Sequence, residues 1–233
     1  MTKTWKWIAV CGLTVCVTLL ATVLGSRCVS VMAQQKPPER KHCIIIDPGH
    51  GGEDGGAVSV SGLPESGYNL DISFRLRDLL HLLGYETKMI RQQDISVYTE
   101  GKSLAQKKMS DLKTRVRMVE ETEGAVLLSI HQNHFPDPAL QGAQVFYGAA
   151  EDSETLARQI QSHLASSVNP GNRRQIRKSS GVYLMEHITC PGVLIECGFL
   201  SSPQEEARLR DPQYQKQLSA AIAVAVSKFL SNT

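Results

Sequence analysis

Three apolar runs in this sequence each end in side chains that can bind a metal or move a proton. Cys43–Asp47 leads into Asp47-Pro-Gly-His50, Ala125–Asn133 closes on His131-Gln-Asn133, and "GVLI" runs into Glu196-Cys-Gly198. In open α/β sheets, sites lie outside the carboxyl ends of the strands, so these three clusters can converge on one place. Histidine and carboxylate converging there suit a zinc ion, which in catalytic sites takes three protein ligands and leaves one position for water. The glycines of "GHGGEDGGA" let the backbone after His50 turn tightly and let a bulky substrate come close.

Each residue also has a plainer reading. His50 alone is a turn histidine; beside Asp47 it reads as a ligand whose second nitrogen the carboxylate orients. His131 ends an apolar strand, where a histidine satisfied by backbone is common. Glu196 is harder to explain away, because a carboxylate following "GVLI" is costly to bury unless paired, protonated or near a metal. Cys197 points to the opposite face of that strand and belongs to the core rather than to the ligand set. Asn133, His134 and His187 fall close enough to contact a substrate or support a ligand. His81 and His163 sit on helix surfaces. The cluster Arg173, Arg174, Arg177 and Lys178 reads either as a solvated loop or as a hold for a substrate carboxylate.

Alternating strands and helices must position these groups. Cys43–Asp47, "YETKMIR", "AVLLSIHQN", "GAQVFYG", "GVYLMEHI" and "GVLIECGF" read as strands. Helices are expected at Asn69–Leu83, stopped by Gly84, and at "SDLKTRVRMVEE" with Ser110 or Asp111 as cap. Two more are expected at "SETLARQIQSHLASSV", capped by Ser153, and at "QYQKQLSAAIAVAVSKFL". The pattern predicts a single α/β domain over residues 43–233. Its mostly parallel central sheet has about six strands, with helices on both faces. No internal repeat follows residue 42.

The first 33 residues are a separate matter. "MTKTWKW" carries two lysines, and the uncharged "IAVCGLTVCVTLLATVLG" follows, at the short end of the roughly 17–25 residues that span a bilayer. Val31-Met32-Ala33 offers a small-residue cleavage site, so residues 1–33 read as a secretory signal or as a membrane anchor. Either exports the rest of the chain, through the linker "QQKPPERKH" (34–42). Lys3, Lys6 and Arg27 lie in this leader, which holds no acid. From Gln34 onward 22 basic side chains therefore face all 23 acidic ones, and no case for nucleic acid remains. Cys43, Cys190 and Cys197 are left beyond the leader, an odd number that reads as free thiols.

Taken in order, "IIIDPGHGGEDGGA", "GLPESGYNL", "LLSIHQN" and "PGVLIECGFLSSPQE" resemble the motifs of the zinc-dependent N-acetylmuramoyl-L-alanine amidases, over essentially all of Cys43–Leu230. These enzymes cleave the amide between muramic acid and the L-alanine of the peptidoglycan stem peptide. Carried over, the resemblance implies His50, Glu65 and His131 as zinc ligands and Glu196 as the catalytic carboxylate. Ser66 stands where the family often has lysine, which leaves the ligand itself intact. "SDLKTRVRMV" and "SGVYLMEHITCPGVLIECGFLSSP" look closer still to the germination-specific members of spore formers. That implies cortex peptidoglycan as substrate and the space between the forespore membranes as location. Whether an accessory protein takes part is not legible.

Two alternatives stay open. His50-Gly-Gly-Glu53 reads literally as H-x-x-E, the compact spacing of a zinc carboxypeptidase acting on wall peptides. A non-catalytic wall-binding protein on the same fold is the other. Glu53 lies in a glycine turn with no regular geometry to aim both side chains at one ion. Glu65 precedes the first long helix, where an ionised carboxylate is favoured.

Overall fold

A computed structural model describes residues 42–232. The leader, and the linker up to residue 41, lie outside the described residues. Six strands form one sheet in the order β2-β1-β3-β6-β4-β5. They are β1 (Cys43–Pro48), β2 (Glu86–Met89), β3 (Ala125–Asn133), β4 (Gln144–Tyr147), β5 (Arg177–Lys178) and β6 (Gly192–Phe199). All pairings are parallel except that of β4 with β6.

Alternation along the strands divides the core in two. Ile44, Ile46, Leu128, Ile130 and Ile195 pack beneath α1 (Glu65–Leu82), α3 (Ser153–Ser167) and α6 (Pro212–Leu230). Ile45, Leu127 and Leu194 pack beneath α2 (Leu104–Glu120) and α4 (Tyr183–His187). Burial on both faces is why the central strands read as unbroken apolar runs. Each fully buried isoleucine or leucine contributes roughly 1.5–3 kcal/mol. A short helix, α5 (Pro203–Arg210), precedes α6. Cys43 and Cys197 are buried, Cys190 is half-buried, and all three are free thiols, as expected.

Several expected elements are corrected. "GVYLMEHI" is not a strand: it holds α4, whose Glu186 N–H donates to the Val182 carbonyl (3.1 Å) and whose carboxylate accepts from the Gly181 N–H (2.6 Å). Buried Leu184 and Met185 are adjacent in sequence, which a turn of helix accommodates and a strand with one buried face does not. Helix α1 starts at Glu65, four residues before the apolar periodicity shows it. Helix α2 starts after Ser103, which forms a capping box with Gln106. Ser110 and Asp111 instead accept the N–H groups of Thr99, Glu100 and Val97, pinning the loop ahead of that helix. Ser153 is the first residue of α3 rather than its cap, and its hydroxyl accepts from the Gly192 N–H (3.1 Å).

Two buried arginines fix the path of the chain as it leaves β1. Arg91, just beyond β2, donates to the carbonyls of Pro48 (2.9 Å), Gly49 (3.0 Å) and Ser66 (2.8 Å). Arg115, on α2, donates to Pro48 (3.1 Å) and His50 (2.8 Å), and pairs with the carboxylates of Asp47 and Asp111. Ser129 adds a hydroxyl to Asp47 (2.7 Å). Burial alone would raise the Asp47 carboxyl, but Arg115 and Ser129 more than offset it and hold it below the usual carboxylate range. The stability this lends is present above the unfolded value near 4 and is lost as pH falls through the lower folded value. Asp47→Asn is expected to destabilise the domain by about 3 kcal/mol at pH 7. The gap to the wild-type protein should narrow at pH 3. Urea unfolding of both proteins at the two pH values measures it.

Candidate metal centre

The carboxyl edge of the sheet brings the expected residues together. In the β3–β6 register His131 lies directly beside Glu196, and in the β1–β3 register Asp47 lies beside Ser129. Side chains two apart share a face, so Asp47, Ser129, His131 and Glu196 all project on the α2/α4 side. His50 follows β1 and adopts the left-handed conformation, at φ 59°, which turns its ring back toward His131. The two imidazoles meet edge-on, 5.0 Å between centroids.

Glu65 completes the group from the first turn of α1. Its Oε1 is 3.0 Å from His131 Nδ1 and its Oε2 is 3.4 Å from His50 Nε2. One donor atom from each of the three residues lies within 4.8 Å of the others. Tetrahedral donors at zinc distances stand about 3.3 Å apart, so this set fits a small divalent ion with little movement. Glu65 is itself held in place: Oε1 accepts from Asn69 Nδ2 and from the Gln132 N–H (both 3.1 Å), and Oε2 from the Ala57 N–H (3.0 Å). Asn69 in turn accepts from Gln132 Nε2 (3.2 Å).

The electrostatics separate the two glutamates. Burial alone would raise Glu65, yet the His131 hydrogen bond, both imidazoles and the Ala57 N–H bring it down to about 2. Burial, with some repulsion from Glu65, pushes Glu196 up to about 7, and His131 offsets only part of this. Glu196 is half-buried as a residue, but its Oε2 lies out of solvent and has no hydrogen-bond partner. Burial lowers His50, while for His131 the bond from Glu65 overcomes burial and raises it.

Other expectations fare differently. Asp47 does not orient His50; Asp54 does, 3.2 Å from Nδ1, and Asp47 is engaged by Arg115. Asn133 ends β3 and its carbonyl accepts from the Leu200 N–H. His134 is exposed beyond it. His187 stacks on Tyr183 on the surface of α4, 3.8 Å between centroids, and its Nδ1 meets the Tyr183 carbonyl. Glu53 is exposed and bound to Lys107 (2.7 Å), away from the cluster. Arg174 is tied to the Gln141 carbonyl and lies over the Phe199 ring. Reading the sequence alone missed Asn69, Gln132, Arg91 and Arg115. The spacing of Glu65 and Asn69, four apart on a helix face, was the available signal for the first.

A mostly parallel sheet with two histidines and a carboxylate grouped at its carboxyl edge, beside a glutamate with one oxygen out of solvent, fits the class of hydrolases that can hold a metal ion. The chain belongs to the N-acetylmuramoyl-L-alanine amidase family, whose sequence profile matches residues 44–228. It is 37% identical over 190 residues to the germination-specific N-acetylmuramoyl-L-alanine amidase of Bacillus subtilis (strain 168), covering 81% of this chain and 79% of that one. Its fold matches the CwlD amidase from Clostridioides difficile, solved in complex with the GerS lipoprotein, at TM-score 0.79 and 36% identity. That match covers 82% of this chain and all of the other. It also matches the N-acetylmuramoyl-L-alanine amidase from Clostridium difficile 630 at TM-score 0.74 and 28% identity, over 84% of this chain and all of that one. The carboxypeptidase and binding-protein alternatives give way to this family.

Gly49 has one neighbour that matters for the metal group. A Cβ built there would meet the His131 imidazole at 2.2 Å, so the ring lies flat against a bare backbone. Gly49→Ala must displace the ring. It is expected to weaken zinc binding by about 10- to 100-fold, the usual cost of misorienting a ligand. Chelator competition on the folded variant measures this.

Proposed function

We propose that this domain is a zinc-dependent amidase that hydrolyses the bond between N-acetylmuramic acid and L-alanine in spore cortex peptidoglycan. His50, Glu65 and His131 hold the ion, and Glu196 moves the proton. A zinc ion held by these three residues would supply Lewis-acid polarisation of the scissile carbonyl and would make the attacking water more acidic. The observation that carries the reading is Glu196 Oε2, buried, unpartnered and one strand from His131. A carboxylate raised to about 7 is suited to take a proton from the attacking water and return it at neutral pH. Glu196 delivers that proton to the alanine nitrogen as the C–N bond breaks. Glu65, with both oxygens already hydrogen-bonded and its carboxyl at about 2, stays ionised and serves as a ligand.

The cortex as substrate is supported by the 37% identity to a germination-specific amidase. Work outside the cytoplasmic membrane is supported by the lysines ahead of the apolar leader.

Glu196→Gln is expected to lower turnover on cortex peptidoglycan by about 10³-fold with zinc content unchanged, because glutamine cannot carry the proton. Loss of zinc in this variant, or near-normal product by mass spectrometry, overturns the assignment. The two glutamates near His50 separate by the same measurements. Glu65→Ala should come out of purification without zinc and inactive. Glu53→Ala, which loses surface contacts with Lys107 and Tyr98, should keep the metal and most of its turnover.

A further inference from the structure

On the side of Glu196 away from His131 the sheet continues through β4 to the edge strand β5. The registers place Gln144 beside Glu196, Phe146 beside Leu194, and Arg177 beside Phe146. Alternation then puts Glu196, Leu194, Phe146 and Arg177 on one face. They line a cavity of about 300 Å³ that opens off Glu196. Its outer wall is cationic. Arg177 and Lys178 are exposed, and among the described residues their side chains have no hydrogen-bond or ionic partner. Ser179, next along the chain, lines the same cavity, and its hydroxyl lies out of solvent with no hydrogen-bond partner. Glu196 is the single acidic side chain on these walls.

A second cavity, about 220 Å³, opens off His50 and His131 and shares Val182 and Leu194 with the first. Its charged groups are already matched: Lys108 with Asp54 (3.2 Å), and Arg115 with Asp47 and Asp111. The two cavities form two arms of unlike character around the same reacting groups.

We propose that the Glu196 arm takes the peptide side of the substrate, and that Arg177 selects peptides bearing a free carboxylate close to the cleaved bond. This rests on the amidase reading of Glu196. The group that protonates the leaving nitrogen must lie against it, and in this reaction that nitrogen belongs to the peptide. The peptide therefore runs along the Glu196 arm and the acyl side along the histidine arm. Arg177 lies two strands and two residues from Glu196, about 12 Å between Cα atoms at ordinary sheet spacings. An arginine side chain is long enough to span part of that gap, and extended peptide covers about 3.4 Å per residue. A carboxylate one or two residues past the scissile amide thus falls within range. The guanidinium fork takes a carboxylate through two parallel hydrogen bonds.

The test uses two N-acetylmuramoyl tripeptides that differ only in whether the carboxyl of the second peptide residue is free or amidated. The zinc-loaded domain should favour the free acid about tenfold in kcat/KM, mainly through KM. Arg177→Gln should cut that preference to within about twofold while keeping kcat on the amidated substrate, and Arg177→Lys should restore part of it. Lys178→Gln should shrink the preference less than Arg177→Gln does. An undiminished preference in Arg177→Gln overturns the proposal and leaves the amidase reading standing. So does an equal loss on both substrates. A wild-type enzyme that cleaves neither compound nor cortex peptidoglycan overturns both.

Discussion

Two guanidinium groups hold the carbonyls of Pro48, Gly49 and His50, and the metal group depends on that clamp. As β1 leaves the sheet its backbone acceptors lose their ladder partners inside the protein, where an unmet carbonyl is expensive. Arg91 and Arg115 answer them, and Asp47 and Asp111 balance the charge of Arg115. With these carbonyls tethered, His50 can be kept at φ 59°, a conformation most side chains avoid. Gly49 can then lie bare against His131.

The same frame gives two carboxylates opposite tasks. Glu65 sits at a helix start among N–H donors and imidazoles, surroundings that favour its charge. Glu196 sits one strand away with one oxygen that nothing meets, surroundings that favour its proton. Residues of one type thus divide into one held in its charged form and one held toward its protonated form, with environment alone deciding which is which.

Much of this was legible in the sequence because parallel strands buried on both faces leave unbroken apolar runs. The polar residue ending each run marks the carboxyl edge. Cys43–Asp47, Ala125–Asn133 and Gly192–Phe199 were readable for that reason. Tyr183–His187 was not, since a short apolar piece has no period long enough to tell a helical turn from a strand. Nor were Arg91 and Arg115, because an arginine near the end of a strand or in a polar helix reads as solvated until the carbonyls it serves are placed in space. Asp47 stands out by its position before His50, but position in sequence does not reveal a partner 68 residues away.

The ligands come from residues 50, 65 and 131, and the sheet places β3 between β1 and β6. No stretch of chain shorter than that span contains a complete set of donors. Of this group, a polypeptide that has not yet reached β3 holds only His50 and Glu65. Assembly of the three donors is in this sense a readout of completed long-range strand pairing. Chains that stall before β1 meets β3 have not brought His50 and His131 together.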